Sequence, residues 1–278
     1  MSTRRTVLAG LAALPLTALT LNACVTPQKA PPAPDLKLVT FNIWHNQGDW
    51  AARLPLLVSA LRDADADVIA LQEVLEDAAV GLPNQAQTLA DALGGYSVHF
   101  VSTDAEGAPR RYGNAILSRL PVAQADWRKL APLDDYRTAQ RLRLRHGGRL
   151  IDIVNTHLHW TVEGGAIRAE QVADLLAWLP RDGTPLAILG DLNAPLPNPE
   201  LSGLRAPRFV EAFAALHPNQ IDRTTLNPAK GHKGAHIDQI IMEAAHFTPV
   251  QAAIIGDRPT NGEYPSDHFG VEAAVRLR

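Results

Sequence analysis

Leu186-Ala187-Ile188-Leu189-Gly190-Asp191-Leu192-Asn193 sets four apolar residues directly ahead of a glycine, an acid and an amide. A short apolar run bounded by turn-formers predicts a strand buried on both faces, spanning Leu186 to Leu192. An acid at the end of such a strand is costly unless something cationic compensates it. The same arrangement recurs on both sides of this stretch. Asn42 follows Leu38-Val39-Thr40-Phe41, and Glu73 follows Val68-Ile69-Ala70-Leu71-Gln72. Asn114 sits inside Tyr112-Gly113-Asn114-Ala115-Ile116-Leu117, and His157 ends Ile151 to Thr156. Asp238 lies in His236-Ile237-Asp238-Gln239-Ile240-Ile241, and Asp267-His268 precede Phe269-Gly270-Val271.

These segments predict strands over 36–44, 67–74, 112–118, 150–158, 236–242 and 269–277. Tyr96 to Ser102 reads as a further strand. Arg137 to Arg145 alternates arginine with leucine and reads as a half-exposed one, turning at Gly147-Gly148. Helical spacing runs from Trp50 to Arg62, with Leu54, Leu57, Val58 and Leu61 on one stripe. Gln85 to Leu93, closed by Gly94-Gly95, Ala166 to Leu179, and Phe209 to Leu216 are the other expected helices. No change of composition and no internal repeat divides residues 36–278. One α/β domain with mixed sheets is the reading.

The chain has 278 residues, 46% hydrophobic and 20% charged, which excludes wholesale disorder, a collagen-like repeat and a polytopic membrane protein. Its single cysteine excludes an intrachain disulfide and a cysteine-based zinc cluster. A formal net charge of −3 offers no basic coat for nucleic acid.

The N-terminal residues read as an address. Arg4-Arg5 precede an uncharged apolar run from Val7 to Leu21, and Leu21-Asn22-Ala23-Cys24 follows. This is the pattern of a secretory signal peptide over 1–23, with an apolar run short of the ~20 residues a span requires. The arginine pair resembles a twin-arginine signal and also fits a general secretory one. Leu-Asn-Ala-Cys resembles a bacterial lipobox, making Cys24 the lipidated first residue of the mature chain. Residues 24–35, with Pro27, Pro31, Pro32 and Pro34, form an extended tether. Loss of residues 1–23 removes two arginines and no acid, moving the charge from −3 to −5. The expectation is a monomer anchored to a membrane at Cys24, on the periplasmic face, with its globular domain over 36–278.

An oxygen-rich set of Asn, Glu and Asp at strand ends suits a hard cation, Mg²⁺ first and Mn²⁺ as the alternative, in phosphoester chemistry. The ordered set Thr-Phe-Asn-Ile-Trp, Leu-Gln-Glu-Val, Tyr-Gly-Asn-Ala-Ile-Leu-Ser-Arg, Asn-Thr-His-Leu, Gly-Asp-Leu-Asn, Ile-Asp-Gln-Ile-Ile and Ser-Asp-His-Phe resembles the endonuclease/exonuclease/phosphatase superfamily, which is deoxyribonuclease I-like. The resemblance covers residues 36 to 278. It implies a four-layer sandwich of two packed mixed β-sheets flanked by helices. It also implies a hydrolase of phosphoesters that works by in-line attack of water. Glu73 with Asn42 resembles the metal-binding pair, and Asp267 adds a metal or water contact. Asp191 resembles the base or orienter of the water, and Asn193 the residue that holds it. His268 resembles the histidine that stabilises the transition state, and Asp238 the carboxylate that keeps it protonated. His157 resembles a phosphate or leaving-group histidine, and Asn114 a phosphate contact. His236 stands where relatives carry arginine, and Gln239 where an aromatic is frequent. The missing Pro, Trp and Cys of the phosphatase branch weigh against an inositol 5-phosphatase.

Arg111, beside the Asn114 motif, is the candidate cation for the phosphate. Arg137, Arg141, Arg143, Arg145 and Arg149 read as a solvated strand face, and Trp160 as packed. His159 and His232 read as surface residues, and Arg168 and Gln171 as packing and ion-pairing groups. A phosphodiesterase or nuclease outside the cytoplasm is the leading function. Alternatives are a phospholipid diesterase of the sphingomyelinase kind, a small-molecule phosphatase, and a non-catalytic anion-binding lipoprotein. The last is disfavoured by Glu73 and Asp191. A lipid substrate calls for an exposed apolar or aromatic loop, and the sequence predicts none in 36–278.

Overall fold

Alternation along the first strand, β1 (Leu36–Asn42), sets the layering. Leu36 and Leu38 enter one apolar cluster, whereas Val39 and Phe41 enter another on the opposite face. The computed structural model describes residues 36–278. The expected signal peptide, Cys24 and tether lie outside the described residues.

Two six-stranded sheets are present. The first has the order β11 (Phe247–Ile255), β12 (Gly270–Leu277), β1, β2 (Val68–Asp77), β4 (Arg110–Ser118), β3 (Ser97–Ser102). The second has β5 (Val122–Lys129), β6 (Thr138–His146), β7 (Arg149–His157), β8 (Leu186–Asp191), β10 (Asp238–Glu243), β9 (Phe209–Glu211). Both are mixed: β1–β2 and β7–β8 are parallel and the other neighbours antiparallel.

The sheets pack face to face through Leu38, Ala70 and Ile116 of one and Leu142, Ile153, Leu189 and Ile240 of the other. Helices α1 (Trp50–Ala64) and α2 (Gln85–Leu93) cover the outer face of the first sheet through Leu57, Leu61 and Leu89. Helix α3 (Gly165–Trp178) covers the second through Val172 and Leu175. The result is the four-layer sandwich expected. Full burial of a side chain such as Leu57 stabilises the fold by about 1.5–3 kcal/mol. Among the described residues no helix is long and apolar enough to cross a membrane.

Two expectations are corrected, and two strands are added. The edge strands β5 and β11 were not legible: β5 is half exposed with no apolar face, and β11 is broken by a register shift at Pro249. The helix expected over 209–216 is a strand, β9, followed by α4 (Ala212–Leu216), because Glu211 accepts the amides of Phe213 and Ala214 and starts the helix there. The arginine run is a solvated face only in part: Arg145 and Arg149 are exposed, but Arg141 and Arg143 are bound to acids. Arg141 pairs with Asp126, and Arg143 donates to both Asp152 oxygens at 2.8 Å and reaches Asp182 at 2.9 Å.

Above the apolar layer the inter-sheet space turns polar. Gln72 donates to Asn155 at 2.7 Å, and the Asn155 amide donates to the carbonyls of Leu71 and Ala115 at 2.9 Å, joining the sheets by hydrogen bonds. The next layer holds the site. The period of two that turns Leu38 inward carries Asn42 to the same face. The same parity relates Leu189 to Asp191, Ile153 to His157 and Ile240 to Asp238.

Candidate active site

Strand pairing assembles the floor of a cavity of about 1110 Å³. His157 is the β-partner of Asp191, and Asp191 is the partner of Asp238, so three functional side chains stand side by side on β7, β8 and β10. Gly190 makes this approach feasible: a Cβ there would lie 1.9 Å from the Thr156 carbonyl oxygen, and its φ is +152°.

Asp191 is the centre of the cluster and only 1% exposed. Its Oδ2 accepts from the Asn42 amide at 3.0 Å, with His157 Nε2 at 3.4 Å and His268 Nδ1 at 3.8 Å. Its Oδ1 accepts the Asn193 backbone amide at 2.8 Å. Burial, then repulsion by Asp238, pushes its carboxyl up to about 6, against the pull of His268 and the Asn42 and Asn193 donors. Asn193 sits at φ +51° and its amide donates to the Leu158 carbonyl, which fixes the turn after β8.

His268 Nδ1 lies 3.0 Å from Asp238 Oδ2, both buried. Burial alone would lower this histidine. The carboxylates of Asp238, Asp191 and Asp267 outweigh it and raise it to about 10, so the ring is an imidazolium at neutral pH. His157 goes the other way. Burial first, then Arg137 and His268, drive it well below its usual value, so it is neutral, and its Nδ1 has no partner. Two histidines on one floor thus hold opposite charge states.

Glu73 reaches the cavity through a bulge. The β2–β4 register shifts between Leu71 and Val74, and Glu73 takes φ +58°. Its Oε1 accepts from Asn42 at 3.2 Å. Burial, with Asp267 adding repulsion, raises its carboxyl against His268 and Asn42. Asp267 is bound by His232 at 2.9 Å, and Ser266, which donates to the Asn42 carbonyl at 2.7 Å, ties this loop to β1.

These residues fit a hard divalent cation. Glu73 is a half-buried carboxylate raised by its surroundings, the state a cation relieves. Among the described residues, the buried groups whose ligand atoms lie within 4.8 Å of one another are Asp191, Asp238 and His268. The ring nitrogen His268 offers there is already bonded to Asp238, so the oxygen side at Glu73 is the better cation position. Asn42 turns its carbonyl oxygen to the Trp44 amide and its nitrogen to Glu73 and Asp191, bridging the two acids.

Asn114 lies beneath the floor, donating to Thr138 Oγ1 at 3.0 Å. Arg111 pairs with Glu76 at 3.2 Å and stacks on Phe100, and its neighbour Arg110 lines the cavity instead. The sequence reading missed Arg137 as a site residue. It lines the cavity, is 3% exposed, and stacks on Tyr136 at 4.6 Å. Its guanidinium has no hydrogen bond or ion pair among the described residues, and its Nε is a buried orphan. A buried cation without an acid attracts an anionic ligand. Tyr112, His45 and His232 also line the cavity; Tyr112 packs edge-on against both His45 and Tyr136. Trp160 is 63% exposed at the cavity mouth rather than packed.

The model of the family described as Endonuclease/Exonuclease/phosphatase matches residues 39–268. No curated protein matches the chain in sequence. Solved structures do match in shape. The Danio rerio TDP2 complexed with single-strand DNA product has a TM-score of 0.72 at 20% identity, covering 87% of this chain and 98% of that one. The human Nocturnin catalytic domain with bound sulfate has 0.70 at 22%, covering 88% and 96%. A mannosyl-6-phosphatase of Bacteroides thetaiotaomicron has 0.69 at 16%, covering 86% and 99%. At these identities the likeness is one of fold.

Proposed function

The chain belongs to the Endonuclease/Exonuclease/phosphatase family, and from that premise we propose that it is a metal-dependent phosphoester hydrolase that cleaves phosphodiesters by in-line attack of water. The observation that carries this reading is the buried set of Asp191, imidazolium His268 and neutral His157 on one cavity floor. Asp191 orients the water and takes its proton, and Asn193 shapes the turn that presents it. His268 faces the charge that builds on the phosphoryl oxygens, fixed in direction by Asp238. His157 contacts the phosphoryl group or the leaving oxygen. Glu73, with Asp267 beside it, would hold Mg²⁺, or Mn²⁺ in its place, while Asn42, expected as a ligand, instead donates its amide to Glu73 and orients it. Such an ion supplies positive charge to the phosphoryl group when bound.

A cavity of about 1110 Å³ has room for both ester arms of a diester. From its first residues we also propose that the protein is exported and anchored at Cys24.

The test is hydrolysis of bis(p-nitrophenyl) phosphate by residues 36–278, with Mg²⁺ and with EDTA, beside p-nitrophenyl phosphate. Metal-dependent release from the diester, faster than from the monoester, is the expected result. No release from either substrate by folded protein overturns the reading. Plasmid nicking under the same conditions reports whether nucleic acid is a substrate. A second measurement checks the orphan guanidinium. Arg137→Ala is expected to raise KM about tenfold or more, as loss of a charge-assisted contact does, with a smaller change in kcat and partial recovery in Arg137→Lys. An unchanged KM removes Arg137 from the substrate's path.

A further inference from the structure

The mouth of the cavity carries the apolar surface that the sequence reading did not find. Trp160 is 63% exposed and Val162 is 88% exposed in the loop between β7 and α3. Leu133 is 67% exposed and Tyr136 is 46% exposed in the loop between β5 and β6.

Both loops are held in place. The buried Arg168 guanidinium donates to the carbonyls of His159, Thr161 and Val162, at 3.1, 2.6 and 3.3 Å, and pairs with Glu200 at 3.0 Å. Gln171 accepts the His159 amide and donates to Asp135 Oδ2. The same Asp135 oxygen lies 2.8 Å from His159 Nδ1, which stitches one loop to the other. Loops fixed this firmly keep their large apolar side chains in water, an arrangement that marks an interaction surface. Ordering the loops in advance also removes an entropic cost of docking.

The form of the rim selects the partner. Val162 stands at the edge of the cavity lining yet is 88% exposed, and Leu133 is 67% exposed outside that lining, so both suit a broad surface better than a small ligand. Trp and Tyr beside Leu and Val is the mixture that sits at a membrane–water boundary. Asp134 and Glu163 are exposed at the two tips and Arg110 and Lys233 on the cavity lining, so the mouth carries both signs and suits a lipid surface of no net charge.

We propose that this rim docks on a zwitterionic lipid surface and lets a lipid-borne phosphodiester enter the cavity. The proposal rests on the hydrolase reading for its chemistry and on the rim for its docking. The span from Pro34 to Arg278 is one compact unit containing both sheets and their cores, so it serves as the test protein free of the apolar N-terminal run.

The experiment is co-sedimentation with phosphatidylcholine vesicles in EDTA, repeated for Leu133→Ser/Val162→Ser. The wild-type span is expected to bind, and the double variant to lose about tenfold or more in partition, given the apolar area withdrawn from lipid. Both are expected to cleave bis(p-nitrophenyl) phosphate equally with Mg²⁺. Absence of wild-type binding overturns the proposal, as does equal binding by the variant. Binding only to anionic vesicles, retained in the variant, also overturns it, since attraction by cations would explain it. Loss of soluble diester cleavage in the variant makes the rim a wall of the substrate pocket and overturns docking. Vesicle binding without any diester cleavage by wild type would sink the hydrolase reading and leave the docking surface standing.

Discussion

Asp191→Asn is expected to lower kcat for diester hydrolysis by on the order of 10³-fold, with little change in melting temperature. Asparagine keeps the shape of the side chain, and its oxygen can still accept the Asn193 amide. It cannot take a proton from water. The environment shows why the aspartate is suited to that task. Burial and Asp238 hold its carboxyl at about 6, near the pH at which it works. It is therefore ionised at neutral pH and a stronger base than an exposed aspartate. The loss combines removal of a general base with misorientation of the water, effects of about 10²–10⁴ and more when they act together. A second consequence is local: the Asn42 amide now donates toward Oδ2, and an amide nitrogen there would face it donor to donor. The Asn42→Ala/Asp191→Asn pair separates that clash from the loss of the base, since removing Asn42 relieves the clash and restores no basicity. Steady-state kinetics beside calorimetric binding of Mn²⁺ decide the case. A rate within a few-fold of wild type, with the metal still bound, would take Asp191 out of the chemistry.

The floor of this site was legible because it obeys the strand period. Asn42, His157, Asp191 and Asp238 each stand two or four residues from an inward apolar side chain, so the face and the end of the strand were both readable. Glu73 was legible as a residue type, but its aim comes from a bulge that no periodicity announces. Arg137 shows the opposite limit. It sits in a run of alternating arginines, two of which pair with acids on neighbouring strands. What distinguishes it is the burial supplied by Tyr136 and the cavity wall, assembled from distant segments. Arg111 was the candidate, and strand alternation turns it to Glu76 and Phe100 while its neighbour Arg110 faces the cavity. The exposed rim was hidden for a related reason. Trp160 and Val162 look like core residues until Arg168 claims three carbonyls of their loop and fixes it outward. Edge strands such as β5 lack a buried face, so their sequence carries little pattern to read.

The second large effect concerns Asp238, which touches no solvent and acts through its neighbours. Asp238→Asn is expected to lower kcat at pH 8.5 by on the order of 10²-fold and to recover much of that loss as pH falls toward 6. The amide oxygen can still accept from His268 Nδ1, so the ring keeps its direction. What disappears is the charge that does most to offset burial of the imidazolium. The pKa of His268 then falls from about 10, and the cation is lost at a lower pH, so the alkaline limb moves to the acid side. Asp238 also repels Asp191 and helps raise it to about 6. Without that repulsion the base ionises more easily, so the acid limb moves in the same direction. Both limbs of the profile therefore shift together toward acid. General damage to the fold would lower the rate at every pH and leave the limbs in place, and loss of ring orientation would be no better at pH 6 than at pH 8.5. A full pH–kcat profile distinguishes the three. If the limbs stay put, or move in opposite directions, Asp238 does not set the charge of the two groups that carry the reaction.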